Sequence, residues 1–285
     1  MRHTLRAGGA PSTAPRVSAL NGDRLVLRYG GTTVVHGTSL TLTTGQVTAL
    51  VGPNGSGKST LLRAMARLHR VDGGQVTLGG GDGAPDRPVS LLSARRFARE
   101  VTLFAQSRPV PEGLTVSEVV AFGRHPHRRG FAGPSAEDRE AIERAMRVTG
   151  VRDMADRAAG QLSGGEMQRV WLAACLSQDT GVVLLDEPTN HLDLRYQIET
   201  LDLIRDLAED HGVAVGVVLH DLDHAARVAD RVLLLSSGRA HAEGPPSAVL
   251  TTDNLSEVYG LRIEVTRDPT GRLRMDPVGR HPAHR

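Results

Sequence analysis

Residues 52–60 read "GPNGSGKST". Among 34 lysines and arginines, lysine stands only at position 58. The run fits G-x-x-x-x-G-K-[ST] with Gly52, Gly57, Lys58 and Ser59. Pro53, Asn54, Gly55 and Ser56 fill the interval, and Thr60 comes next. The strand-like "QVTALV" leads into it and the helically spaced "KSTLLRAMARLH" leaves it, which is the context this motif requires. Glycines let successive backbone N–H groups turn inward around phosphate oxygens. The helix start adds its positive dipole end. Lys58 supplies a compact charge to the β- and γ-phosphates, where the wider planar fork of arginine would not enter the same nest. Charge-assisted bonds of this kind contribute ~1.5–3 kcal/mol each. Ser59 is placed to ligate Mg²⁺. The motif predicts a P-loop nucleotide site in an α/β fold.

A second run, "VVLLDE" at 182–187, is an apolar strand ending in two acids. After a P-loop, such a strand places Asp186 near the metal. Glu187 then stands where it can polarise an attacking water, a general-base role typically contributing ~10²–10⁴-fold.

Working outward, residues 17–51 read as strands rich in β-branched residues and punctuated by glycine. "GGQVTLGGG" is another short strand, and "LLSARRFAREVTLFAQ" a helix and then a strand. From about residue 107 to 178 the texture becomes helical, with Ser135 as an N-cap ahead of acids and a helix over 164–178. Strands return at 181–187, 213–220 and 231–238, with helices at 195–210 and 221–230 between them. Continuous apolar strands alternating with helices predict a parallel sheet covered on both faces, here carrying a helical insertion. Beyond 241 only weak strand and turn signals remain. The expected organisation is a disordered extension over 1–16, a main domain over 17–240, and an extension and tail over 241–285.

Composition narrows the classes. With 39% hydrophobic and 23% charged residues the chain can bury a sizeable core, and 3% aromatics leave that core to Val, Leu, Ile and Ala. The net charge of +2, with no block of basic residues, calls for no nucleic-acid partner. A single cysteine, Cys175, rules out an intrachain disulfide and reads as a small buried hydrophobe. No apolar run reaches the ~18–20 residues needed to span a bilayer. His125 and His127, one residue apart with no acid or cysteine nearby, read as loop residues, and Trp171 as packing.

"LSGGEMQR" at 162–169 then becomes readable. With the P-loop and "VVLLDE", it resembles the ATP-binding-cassette family over about residues 17–240. The resemblance implies a RecA-like core with an antiparallel β subdomain and an inserted helical subdomain. It implies ATP and Mg²⁺ as ligands and ATP hydrolysis as the activity. Tyr29 resembles the aromatic that stacks on adenine. Gln106 resembles the glutamine that joins the helical insertion to the core and senses Mg²⁺ and the γ-phosphate. Asp193 in "NHLD" resembles the D-loop aspartate, and His220 in "VLHDL" the switch histidine at the γ-phosphate. Ser163, Gly164 and Gly165 would face the γ-phosphate bound by a second copy, giving a C₂ dimer with ATP shared between the chains. Two departures are Glu166, where glutamine is commoner, and the residues preceding Leu-Asp in "NHLD".

"PEGLTVSEVVAFGRHPH" (111–127), "VLHDLDHAARVADRV" (218–232) and "SAVLTTDNLSEVYGL" (247–261) are similar to cassettes of ferric siderophore, haem and cobalamin importers. The "GR-x-P-H" element lies where such a cassette receives a coupling helix. This resemblance implies a bacterial subunit at the cytoplasmic face of the membrane. It would work with separate permease subunits and, indirectly, a solute-binding protein. The alternative is a soluble cassette powering no transport, of the iron–sulfur assembly type.

Overall fold

The structure is a computed structural model that describes residues 18–80, 84–105, 112–128, 133–190 and 192–279. Two long strands, β1 (Ser18–Tyr29) and β2 (Thr32–Thr43), form an antiparallel hairpin. β3 (Val47–Val51) runs into the glycine loop and α1 (Lys58–Met65) leaves it, as the motif requires. β4 (Gly73–Leu78) and β5 (Arg87–Pro88) complete a four-stranded sheet in the order β2-β1-β4-β5. α2 (Ala94–Phe97) and β6 (Val101–Phe104) come next.

The helical stretch supplies α3 (Val116–Ala121), α4 (Ala136–Val148) and α5 (Gly164–Ser177). Each starts with a reciprocal capping box: Thr115 with Glu118, Ser135 with Asp138, and Ser163 with Glu166. Ser135 is therefore the cap its sequence context announces. β7 (Val182–Asp186), α6 (Leu194–Glu209), β8 (Ala214–Val218), α7 (Leu222–Val228) and β9 (Arg231–Ser236) then alternate. β10 (Arg239–Gly244) turns back as an antiparallel edge. The carboxyl-terminal segment holds α8 (Pro246–Val249), α9 (Thr252–Tyr259) and the hairpin β11 (Ile263–Arg267) and β12 (Leu273–Pro277). Those two helices exceed the weak strand and turn signals of their sequence. α8 is one turn long, and α9 is stabilised by burying Leu255 rather than by its own sequence pattern.

The main sheet has the order β10-β9-β3-β8-β7-β6, with β9 to β6 parallel. Every residue of β3, β7 and β8 is buried, because packed layers cover both faces. One face packs on α1 and the antiparallel sheet through residues such as Leu42, Leu62 and Leu184. The other packs on α6, α7 and α9 through Leu201, Val217 and Leu255. At Gly216 the sheet packs tightly: a Cβ there would stand 3.0 Å from Leu42 and 3.1 Å from Leu184, so those side chains would have to give way. α3, α4 and the first half of α5 form a separate cluster around Val119, Ile142 and Val170. Trp171 and Leu176 border both this cluster and the core, so α5 ties the two together. Cys175 is buried, with its thiol toward the Leu103 carbonyl at 3.7 Å.

The strand order positions the site. β3, β8 and β7 are neighbours, and Leu50, Val218 and Asp186 lie in one row across them. The segments leaving the carboxyl ends of these strands must converge, the general location of ligand sites in open α/β sheets. Those segments carry the glycine loop, His220 and Glu187.

Candidate nucleotide site

Gly52 opens the loop at φ 142°, and a Cβ there would lie 2.2 Å from the Leu235 carbonyl oxygen. Gly57, at φ 97°, is the N-cap of α1 and carries no side-chain cap. Both positions exclude other residues, one by contact and one by left-handed backbone. The loop is propped from beneath by the turn between β9 and β10, where the Gly238 N–H donates to the Ser56 carbonyl at 3.1 Å. Pro53 is half-buried, Asn54 and Gly55 are exposed, and Thr60 lies in the first turn of α1. The Ser56 hydroxyl is buried without a partner among the described residues. An orphaned hydroxyl beside an uncapped helix start matches a loop built to hold phosphate oxygens.

Lys58 is buried, and its ammonium donates to the Gly52 and Pro53 carbonyls at 2.8 and 2.9 Å. Burial holds its pKa below the usual lysine value, and the nearby Glu187 and Asp186 charges pull the other way. The Ser59 hydroxyl donates to Asp186 Oδ1 at 2.7 Å. Asp186 is fully buried at the end of β7, and Arg63, one turn along α1, reaches its other oxygen at 3.4 Å. Ser59 and Asp186 together form a hard-oxygen pair suited to Mg²⁺.

Glu187 sits at φ 55°, uncommon for a residue with a Cβ. Its N–H bonds the Val218 carbonyl at 3.2 Å, which turns the chain out of β7. One carboxylate oxygen faces His220 Nε2 at 2.5 Å, and the other accepts from the Asn190 amide at 2.5 Å. Glu187 and His220 therefore meet as the order of β7 and β8 requires. Asn190 and Arg63 are additions to the expected set. Arg63 was foreshadowed only by its place one turn after Ser59 on the same helix face.

Other expected residues lie apart. Tyr29 ends β1, half-exposed, its ring 4.5 Å from that of His69. Ser163 caps α5, Gly164 is exposed, and Gly165 lies near Leu192. Among the described residues, no hydrogen bond or ion pair joins 163–165 to the loop at 52–60. Asp193 caps α6, accepting from the Tyr196 N–H at 3.1 Å. Gln106 lies outside the described residues. Glu166 closes the α5 cap by accepting from the Ser163 N–H at 2.8 Å, and it pairs with Arg157 at 3.2 Å. The Ser163 N–H and hydroxyl, then Arg157, hold its carboxyl below the usual glutamate range. One further link is Gln168, whose amide donates to the Pro188 carbonyl at 2.5 Å, so the α5 start is tied to the loop after β7.

The "GR-x-P-H" element is tied into its own chain. Arg124 is buried, bonded to Asp138 at 2.8 Å and to the Ser177 carbonyl at 2.9 Å. It braces the helical cluster from inside. The Pro126 carbonyl accepts from Arg95 and Arg99, each at 2.9 Å, and His127 pairs with the Gln178 carbonyl at 2.9 Å. These bonds tie the loop to α2 and to the end of α5.

A family profile for ABC transporter matches residues 35–190. The chain belongs to the ABC transporter family. The ferric enterobactin transport ATP-binding protein FepC of Escherichia coli is 39% identical over 93% of this chain and 96% of its own length. The iron(3+)-hydroxamate import ATP-binding protein FhuC of Bacillus subtilis is 38% identical over 89% and 92%. Among solved structures, an inward-facing metal-chelate type ABC transporter is similar with a TM-score of 0.78. It is 25% identical over 92% of this chain and 98% of that one. This ABC cassette thus carries the P-loop NTPase fold that its sequence announced. Among the described residues, no helix is long and apolar enough to cross a membrane.

Proposed function

We propose that this ABC cassette binds ATP with Mg²⁺ and hydrolyses it to power uptake of a metal chelate, a ferric siderophore first, through a separate permease. The observation that carries the reading is the convergence of Lys58, the Ser59–Asp186 pair and the Glu187–His220 pair at three adjacent strand ends. Gly52 to Thr60 would hold the phosphates, Ser59, Asp186 and Gln106 the metal, and Tyr29 the adenine. When bound, Mg²⁺ would supply positive charge that offsets the negative charge developing on the phosphates. Glu187 would accept the proton of the attacking water, with Asn190 and His220 fixing its two oxygens. Ser163, Gly164 and Asp193 are exposed, which supports use of the 163–165 tip and Asp193 by a second copy in a C₂ dimer.

The groove between core and helical cluster suits a permease helix. It has a volume of about 410 Å³ and is lined by Arg67, Phe97, Phe122, Trp171, Ala174 and Gln178. Phe122 is half-exposed at its edge. Matching relatives act in ferric siderophore import, and no observation favours the iron–sulfur assembly alternative. Such a subunit works at the cytoplasmic face beside its permease, served by a solute-binding protein.

Two measurements test this. A strain lacking the chain should fail to take up labelled ferric siderophore while keeping unrelated import; undiminished uptake of ferric siderophore, haem and cobalamin alike would refute the transport role. Glu187→Gln should still bind ATP while hydrolysis falls by ~10²–10⁴-fold. Brisk phosphate release by that variant would remove Glu187 as the base.

A further inference from the structure

The start of α5 and the body of α6 belong to different packing units. Met167 and Val170 of α5 sit in the helical cluster, whereas Leu201 and Ile204 of α6 sit in the second core face. One stack crosses between them. The Arg169 guanidinium lies over the Tyr196 ring, its carbon 4.2 Å from the ring centroid. Arg169 is half-buried, and its Nε has no hydrogen-bond partner among the described residues. Its Nη1 reaches the Gly150 carbonyl only at 3.4 Å. With those bonds missing or long, the ring face is what seats the guanidinium, a cation–π contact. Arg195 approaches the same ring at 5.8 Å, but it is exposed and pairs with Glu199 at 2.8 Å. Both members of the stack adjoin surfaces assigned above to a second copy. Arg169 follows Gly165 by four residues, one turn along α5. The Tyr196 N–H donates to the Asp193 cap at 3.1 Å. Each helix is also tied to the loop after β7: Gln168 donates to the Pro188 carbonyl at 2.5 Å, and Gln197 to the Thr189 carbonyl at 3.4 Å.

We propose that Arg169 and Tyr196 are positioning residues for the paired state. Their stack locks the 163–165 tip of α5 against the Asp193 cap of α6, so that both are offered to a second copy as one body. Without it the two surfaces can shift independently, and pairing weakens while each chain still binds its own nucleotide. The inference rests on the dimer reading above. The ring face is the part that counts, so Tyr196→Phe keeps the contact and Tyr196→Leu removes it while leaving apolar bulk.

The test follows ATP hydrolysis per chain as the concentration of the full-length protein is raised, beside equilibrium binding of labelled ATP to the dilute chain and melting temperature. It compares the wild type, Tyr196→Leu, Tyr196→Phe, Arg169→Met and the double variant Arg169→Met with Tyr196→Leu. Losing one partly buried cation–π contact should raise the protein concentration for half-maximal activity about fivefold to tenfold in Tyr196→Leu and in Arg169→Met. ATP affinity of the dilute chain should stay within about twofold, and Tyr196→Phe should behave as the wild type. The double variant should lie within about twofold of either single one, because both remove the same contact. An unchanged concentration dependence in Tyr196→Leu, with or without a lower melting temperature, would overturn the proposal. So would losses that multiply in the double variant, an equal loss in Tyr196→Phe, or ATP affinity falling in step with activity. A wild type whose activity per chain does not rise with concentration would overturn the paired reading itself, and the proposal with it.

Discussion

Helices α1 and α5 both begin under glycine-rich runs, and their first turns are finished in opposite ways. α1 starts at Gly57 in left-handed backbone with no side-chain cap. α5 starts at Ser163, whose hydroxyl accepts from the Glu166 N–H while Glu166 returns the bond to the Ser163 N–H. A helix start leaves four amide donors unsatisfied. In α1 no side chain of the helix's own cap takes them, and the loop that precedes them is closed by Lys58. In α5 the chain satisfies its own cap, leaving Ser163 and Gly164 exposed. The first geometry suits binding by one chain, and the second suits a contact completed by another. The same comparison accounts for Glu166. An acid at this position makes the cap bond, favours the positive helix end and adds the ion pair with Arg157.

The largest expected effect comes from loosening α5 at its far end. Arg124 holds the Ser177 carbonyl and the start of α4, both buried. Arg124→Met should destabilise the protein by about 3–5 kcal/mol, read by denaturant unfolding, because Asp138 is left buried without its partner. A loss below about 1 kcal/mol, the range of an exposed pair, would show that the brace is not needed. The same pair sets an acid limit. Burial works against the Asp138 carboxylate, but Arg124 and Ser135 override it and bring its pKa from 3.8 down to about 2. The folded value is depressed, so the stabilisation is complete above the unfolded value and is lost as pH falls from about 4 toward 2. Asp138→Asn should flatten that part of the stability profile.

Next comes the open helix start. Lys58→Arg keeps the charge but not the compact shape, and ATP affinity should fall about tenfold to a hundredfold, matching one charge-assisted bond. Normal binding by this variant would break the distinction drawn for α1. Ser163→Arg addresses the closed start. Binding of ATP to the single chain should stay within about twofold, while hydrolysis that depends on pairing falls about tenfold or more through a built-in clash. Equal loss of both would mean that α5 supports its own chain's loop. The smallest effect is expected from the cap. Glu166→Ala should cost about 0.5–2 kcal/mol of stability, whereas Glu166→Gln, which can still close the box, should stay near wild type in thermal melting.

Much of the fold was legible because its elements carry local signals. The apolar strands β3, β7 and β8, the cap at Ser135 and the glycine loop all announce themselves within a few residues. The end of the chain did not. α8 is too short to show a period, and α9 depends on where Leu255 is buried. In the site, Lys58, Ser59, Asp186, Glu187 and His220 stand in recognisable runs. Arg63 and Asn190 do not, since a lone arginine or asparagine has no pattern until its partner is known. The "GR-x-P-H" motif shows the converse. Its residues were easy to find, yet Arg124 is an internal brace, because burial is decided by α4 and α5 closing over it.

The amino-acid order alone determined that a phosphate loop succeeds one strand and an acidic pair ends another, since backbone conformation and capping are governed by near neighbours. Tertiary structure alone decided that β8 lies between those two strands. That placement brings His220 to Glu187 and Ser59 to Asp186. Contacts between distant segments depend on strand order and on which faces are buried, and no short stretch of sequence carries that information.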